Sequence, residues 1–216
     1  MTSIMTPANR EIEAVLCFCH GYMDNASFLK RYEYQRLVKR GIAFVSIEYE
    51  GHGRSDGAIA YIPNWNDVIQ DVLGYFRETT DAKFPGKKCF LMGESMGGAV
   101  AFDVFNASRN LPDMNWKGVI LCSPMAKIAD ELLPSPLVLN AFEWILGPSG
   151  CERMIGRLPI APSGEMNGFR LAHKRMLAQS VPTWYGLRKP RLSTGRELVV
   201  SCIRGHASIF AQIFHS

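Results

Sequence analysis

Four short apolar runs mark the first 122 positions, each the length of a buried strand. They are Ala14–Cys19 (AVLCFC), Ile42–Ile47 (IAFVSI), residues 88–92 (KCFLM) and residues 118–122 (GVILC). None alternates apolar with polar side chains, so they read as parallel strands covered on both faces. Between them the period changes to that of a helix. Phe28, Tyr32, Leu37 and Val38 fall near one face, and Gly41 follows as a stop signal. Ile69, Val72, Leu73 and Phe76 follow the i, i+3, i+4, i+7 pattern, with Asn66 available as a cap. Gly97, Val100, Ala101, Val104 and Phe105 repeat that spacing. Strand alternating with helix predicts an α/β fold, a doubly wound parallel sheet of about four strands.

After Met125 the rhythm breaks. Pro134, Pro136, Pro148, Pro159, Pro162 and Pro182 divide the chain into short pieces, such as the helical stretch 137–146. The division this suggests is a core over residues 14–124, a helical cap inserted over 125–183, and a return helix with a tail over 184–216. In the tail, Ile209, Phe210, Ile213 and Phe214 recur at helical spacing, which predicts a segment folded back over bare apolar surface.

Composition narrows the class without naming a function. The chain has 216 residues, 47% hydrophobic and 20% charged, which is ordinary globular usage and excludes a disordered or collagen-like chain. At about 150 residues per domain, the length suits one domain with an elaboration. Of the six cysteines (Cys17, Cys19, Cys89, Cys122, Cys151 and Cys202), four lie inside or beside apolar runs, and none shows the spacing of a zinc site. No metal is expected, and a reducing, intracellular compartment fits best. The first ten residues lack a signal-peptide pattern, and no apolar run approaches the roughly 18 residues that cross a bilayer. A soluble, cytoplasmic protein is the expectation. The net charge of +4 is unevenly spread: residues 1–150 carry 14 basic and 17 acidic side chains, residues 151–216 carry 10 and 3. Peripheral contact with an anionic membrane surface is one reading of that basic third, and a solvated basic face is the plainer one. Its aromatic residues are too sparse for a single-strand nucleic-acid platform.

The strongest chemical signal is Gly93-Glu94-Ser95-Met96-Gly97-Gly98. It follows an apolar strand and opens an amphipathic helix, the setting a nucleophile elbow requires. Glycines two positions either side of Ser95 let a sharp turn pass between neighbouring strand and helix. The helix N-terminus behind Ser95 favours developing negative charge. A tight loop or a phosphate cradle is the bland alternative. Upstream, His20-Gly21-Tyr22 follows the first strand, and Gly51-His52-Gly53-Arg54-Ser55-Asp56-Gly57 follows the second.

Taken in order, these three motifs resemble the monoacylglycerol lipase and lysophospholipase branch of the α/β hydrolases, with a serine aminopeptidase S33-type domain. Ser123-Pro124-Met125-Ala126-Lys127-Ile128 and Lys189-Pro190-Arg191-Leu192-Ser193-Thr194 resemble the plant and algal members, which include caffeoylshikimate esterases. The resemblance implies hydrolysis of a lipophilic carboxylic ester through an acyl-serine on Ser95, without a cofactor. It implies an oxyanion hole from the backbone N–H groups of Tyr22 and Met96, with His20, Gly21, Gly93 and Gly97 supporting the loops. It also implies strands this chain has no room for: a hairpin before residue 14, and later strands bearing an acid and a histidine. No Asp or Glu follows Glu197, and His206 and His215 are the only later histidines, so the general base and its acid partner stay unassigned. The expectation is a chain truncated at both ends, associating through exposed sheet edges formed by Ile42–Ile47 and residues 118–122. A non-catalytic binding module and a proline-type aminopeptidase remain as alternatives.

Overall fold

The four apolar runs form strands, and a fifth strand joins them. In the computed structural model, which describes residues 1–26, 29–126, 171–180 and 191–202, the sheet comprises β1 (Thr2–Met5), β2 (Ala14–Cys19), β3 (Ile42–Ile47), β4 (Lys88–Glu94) and β5 (Trp116–Cys122). Their spatial order is β1-β3-β2-β4-β5. β2 through β5 pair in parallel, and β1 runs antiparallel against β3, with Thr2 opposite Ile47 and Met5 opposite Phe44. The sheet is therefore mixed and five-stranded rather than parallel and four-stranded. The residues before β2 supply β1. That strand covers β3, so the expected bare margin at Ile42–Ile47 is paired. β5 alone remains an edge among the parallel strands described, with Ile120 45% exposed.

Helices cover both faces, as continuous apolar strands require. Val15, Cys17 and Cys19 of β2 face one side with Ala43, Val45 and Leu91. There they meet α2 (Trp65–Lys83) through Val68, Ile69, Val72 and Phe76, and α3 (Met96–Ser108) through Val100, Ala101 and Val104. Leu16, Phe18 and Phe44 face the other side, under Tyr34, Leu37 and Val38 of α1 (Leu29–Val38). Tyr34, which the helical spacing of Tyr32 overlooks, stacks on Phe44 with centroids 4.4 Å apart. The cap of α2 is Asn64, not Asn66: the Asn64 side chain accepts the Asn66 amide at 3.0 Å.

Two further helices are described, α4 (Ala172–Gln179) and α5 (Leu192–Ser201). Most of the expected cap, the stretch 137–146, and the tail with His206 and His215 lie outside the described residues. None of the described helices is long and apolar enough to cross a membrane. α5 is held to the core by buried polar groups. The Glu197 carboxylate accepts the Trp65 amide at 2.9 Å and pairs with Arg196 at 2.8 Å. It sits at the first turn of α2, where the helix dipole favours an anion.

That contact sets a stability expectation. Glu197→Ala strands a helix-terminal amide and should cost about 1–3 kcal/mol, while Glu197→Gln keeps an acceptor and should cost less than half as much. Urea unfolding of the two variants measures the difference.

Candidate active site

Ser95 stands between the end of β4 and the start of α3 with φ 55° and ψ −122°. A non-glycine residue in that region is strained and persists only where its surroundings over-determine it. Here they do. The Ser95 amide donates to Cys122 O at 3.0 Å, and its carbonyl accepts from Met125 N at 2.8 Å and Gly98 N at 2.9 Å. Ser95 is exposed while Gly93, Met96 and Gly97 beside it are buried. Its side chain makes no capping hydrogen bond to α3. The hydroxyl is thus presented outward at the positive end of a helix.

The flanking glycines are required by contact. A Cβ on Gly93 would fall 2.0 Å from Gly97 O, and one on Gly97 would fall 2.1 Å from Cys19 O and 2.5 Å from His20 O. Either would drive α3 off the strand ends. Gly21 is different: a Cβ there would meet Glu94 O at 3.4 Å and Ser95 Cβ at 3.5 Å, which is ordinary packing. Those distances bring the loop after β2 directly against Ser95. Met96 opens α3, so its amide belongs to the first-turn donors that have no acceptor within the helix.

His20 is wholly buried and both ring nitrogens are engaged. Nδ1 donates to Gly21 O at 2.8 Å, and Nε2 accepts the Tyr49 amide at 3.3 Å. The ring stacks on Tyr49 at 3.9 Å, and the Tyr49 hydroxyl donates to His20 O at 3.0 Å. Burial, with His52 nearby, pushes the imidazole down to about 3. A neutral ring clamped at both nitrogens orients the loop and is not free to accept a proton. His52 is also buried and its pKa is lowered by desolvation; its Nδ1 faces Glu50 O at 3.0 Å. The third described histidine, His173, lies on α4. Among the described residues no group of three or more His, Cys, Asp or Glu side chains gathers as a metal site would.

The structure thus brings together Gly93, Ser95, Met96 and Gly97 with His20, Gly21 and Tyr22. Sequence reasoning missed the residues that hold the neighbouring loop 59–65. Thr194 Oγ1 accepts the Ile62 amide at 2.9 Å, Tyr22 Oη donates to Ala60 O at 2.7 Å, and Trp65 Nε1 donates to Asp103 Oδ2 at 2.8 Å. Only the polar character of Ser193-Thr194 within a helical stretch hinted at the first.

Comparison with known proteins agrees with this geometry. The profile of the family described as serine aminopeptidase, S33, matches residues 10–198. Caffeoylshikimate esterase of Arabidopsis thaliana is 27% identical over 201 residues, covering 92% of this chain and 58% of that protein. Human monoglyceride lipase is 27% identical over 131 residues, covering 60% of this chain and 41% of that protein. The chain therefore spans about half the length of these relatives. A soluble variant of monoglyceride lipase from Saccharomyces cerevisiae superposes with a TM-score of 0.71 at 14% identity, over 94% of this chain and 64% of that one, which shows a shared fold.

The buried His20 makes stability depend on pH in a defined window. Its ordinary value is 6.5 and its folded value about 3, so above pH 6.5 both folded and unfolded forms are neutral and stability is flat. Below 6.5 the unfolded chain binds a proton that the folded one refuses, and stability falls by roughly 1.4 kcal/mol per unit until about pH 3. Urea unfolding from pH 7 to pH 4 should show at least that slope, and His20→Asn should remove the His20 share while leaving the part due to His52.

Proposed function

We propose that this chain, which belongs to the serine aminopeptidase S33 family of α/β hydrolases, is built for hydrolysis of lipophilic carboxylic esters, with Ser95 as nucleophile. The observation that carries the proposal is the outward Ser95 hydroxyl on a strained turn at a helix N-terminus, uncommitted to capping. The ester carbonyl is attacked by Ser95 Oγ, the proton passes to a base, and the leaving alcohol takes it up as the acyl-serine forms. Water then reverses these roles and frees the acid. The Tyr22 and Met96 amides would hold the tetrahedral oxyanion, each contributing about 3 kcal/mol. Monoglyceride and phenolic esters are the substrate classes its relatives' names suggest.

A second reading, a binding module that keeps the pocket without the chemistry, is favoured by one observation. Both buried histidines near the site are poor bases: His20 is clamped at both nitrogens, and burial lowers the pKa of His52, disfavouring the imidazolium that taking up a proton would form. The two readings part on a single reagent. A fluorophosphonate should label the chain at Ser95 and leave Ser95→Ala unlabelled; no Ser95 adduct would leave the binding module. Loss of a triad member costs on the order of 10⁴ to 10⁶ in turnover. On the binding-module reading, hydrolysis of a p-nitrophenyl ester by this chain should accordingly be slow. Rapid, Ser95-dependent turnover would point to His206 or His215, and replacing each with Ala would identify it.

Two partner proposals accompany this. α4 exposes Met176 and Leu177 beside Lys174 within the basic third of the chain, which supports peripheral contact with an anionic lipid surface. The β5 edge carries the exposed Ile120 and supports self-association. Ile120→Lys should lower concentration-dependent light scattering while shifting stability by no more than about 0.5 kcal/mol.

A further inference from the structure

Tyr22 is tied down at its far end by a helix nearly the whole chain away. Its hydroxyl donates to Ala60 O at 2.7 Å. Thr194 Oγ1, fully buried on α5, donates to the same carbonyl at 3.5 Å. The Thr194 hydroxyl also accepts the Ile62 amide at 2.9 Å, so its single proton is left for Ala60 O. Ala60 stands at φ 51°, a strained position for an L residue, held from the other side by its amide bond to Gly51 O at 2.8 Å. Arg191, one residue before α5, donates to Ile59 O at 3.3 Å and lies over the Tyr61 ring. Arg191 and Thr194, at the start of α5, therefore grip the loop from Ile59 to Ile62, and the loop grips Tyr22.

We propose that the Tyr22 phenol, the Ala60 carbonyl and the Thr194 hydroxyl form a pin that fixes where the Tyr22 amide stands relative to Ser95. Tyr22 and Thr194 are then positioning side chains for oxyanion binding, acting through a backbone N–H. The inference rests on the reading of Ser95 as nucleophile and of the Tyr22 amide as an oxyanion donor. Its physical basis is tolerance. An oxyanion donor works only within about 2.7–3.1 Å of the charge it meets, and a misplacement near 1 Å costs about 10²-fold. At Gly21, next in the chain, even an added Cβ would reach Ser95 only at ordinary packing distance, so packing on that side leaves the amide's direction to be set from elsewhere. An apolar ring would fill the same space; only the hydroxyl gives it a direction. The phenol stays a donor at neutral pH: its ordinary value of 10 already lies well above 7, and burial pushes it up to about 12.

The test is labelling by a fluorophosphonate, in which a bond from Ser95 Oγ to phosphorus forms as fluoride leaves and the phosphoryl oxygen takes the oxyanion position. Rates are followed by intact mass for the full chain, Tyr22→Phe, Thr194→Val, Thr194→Ser and Ser95→Ala. The pin requires Tyr22→Phe and Thr194→Val to lower the maximal labelling rate about tenfold or more, with the reagent's half-saturating concentration changed by less than about twofold. Thr194→Ser, which keeps the hydroxyl, should restore the rate to within about threefold of the starting chain. Amide hydrogen exchange over residues 20–26 should quicken in the two slow variants, a change that does not depend on turnover. Labelling of both variants at the unaltered rate overturns the pin and leaves the Ser95 reading standing. An equal change in half-saturation overturns it too, as a general loosening of the site. Absence of any Ser95 adduct in the starting chain overturns the nucleophile reading, and the positioning role falls with it.

Discussion

Everything at the candidate site follows from how closely one helix approaches the ends of the strands beneath it. The first turn of α3 lies so near β2 that a single methyl on Gly97 would overlap the carbonyls of Cys19 and His20. Overpacking of that kind cannot relax, because the obstacles are backbone atoms and not the ends of flexible side chains. With α3 pressed to that depth, the turn entering it has to be abrupt, and Ser95 takes the strained conformation. The same approach places the loop 20–22 alongside it. The Ser95 amide donates to Cys122 O and its carbonyl accepts from Met125 N, which draws in the end of β5, so three strand ends meet at one residue. Ligand sites of open α/β sheets lie at the carboxyl ends of their strands for this reason.

Much of this arrangement was legible in the residues themselves. Strands buried on both faces leave unbroken apolar runs, and the ends of β2 and β3 coincide with the ends of theirs. The elbow was legible because its glycines stand at fixed spacing about the serine, although the carbonyls that demand Gly97 belong to Cys19 and His20, far back in the chain. What escaped depends on partners far along the chain. β1 has only four residues, none of them buried, and owes its existence to β3, some forty residues later. Asn64 and Asn66 carry the same amide side chain two positions apart. Which one caps α2 depends on where the helix starts, and the Trp65 amide at that start is held by Glu197, 132 residues away. Thr194 is silent for the same reason: a hydroxyl in a helical stretch gives no sign of which distant loop it will meet.

The two histidine motifs show how similar sequence cues divide into different physical roles. His20 and His52 each follow a strand and precede a glycine, and each would pass for a catalytic base by residue type alone. Burial decides otherwise, since a low-dielectric setting disfavours the imidazolium and each ring holds a backbone carbonyl. His20 stacks on Tyr49 and His52 meets Tyr22 edge to face, which makes an aromatic floor under the loop that abuts Ser95. The site is thus supported by groups with the chemical equipment for proton transfer that spend it on geometry.

The clamping of His20 also has a spectroscopic consequence. A histidine ring in water exchanges its nitrogen-bound proton far too fast to be seen. Here the proton sits on Nδ1, directed at Gly21 O, inside a wholly buried ring whose other nitrogen is occupied. It can reach solvent only when the surrounding structure opens, so its lifetime is set by a local unfolding equilibrium and not by the chemistry of imidazole. The ring should therefore give a persistent proton resonance of one fixed tautomer, and the rate at which that signal fades in heavy water would time the opening of the loop beside Ser95.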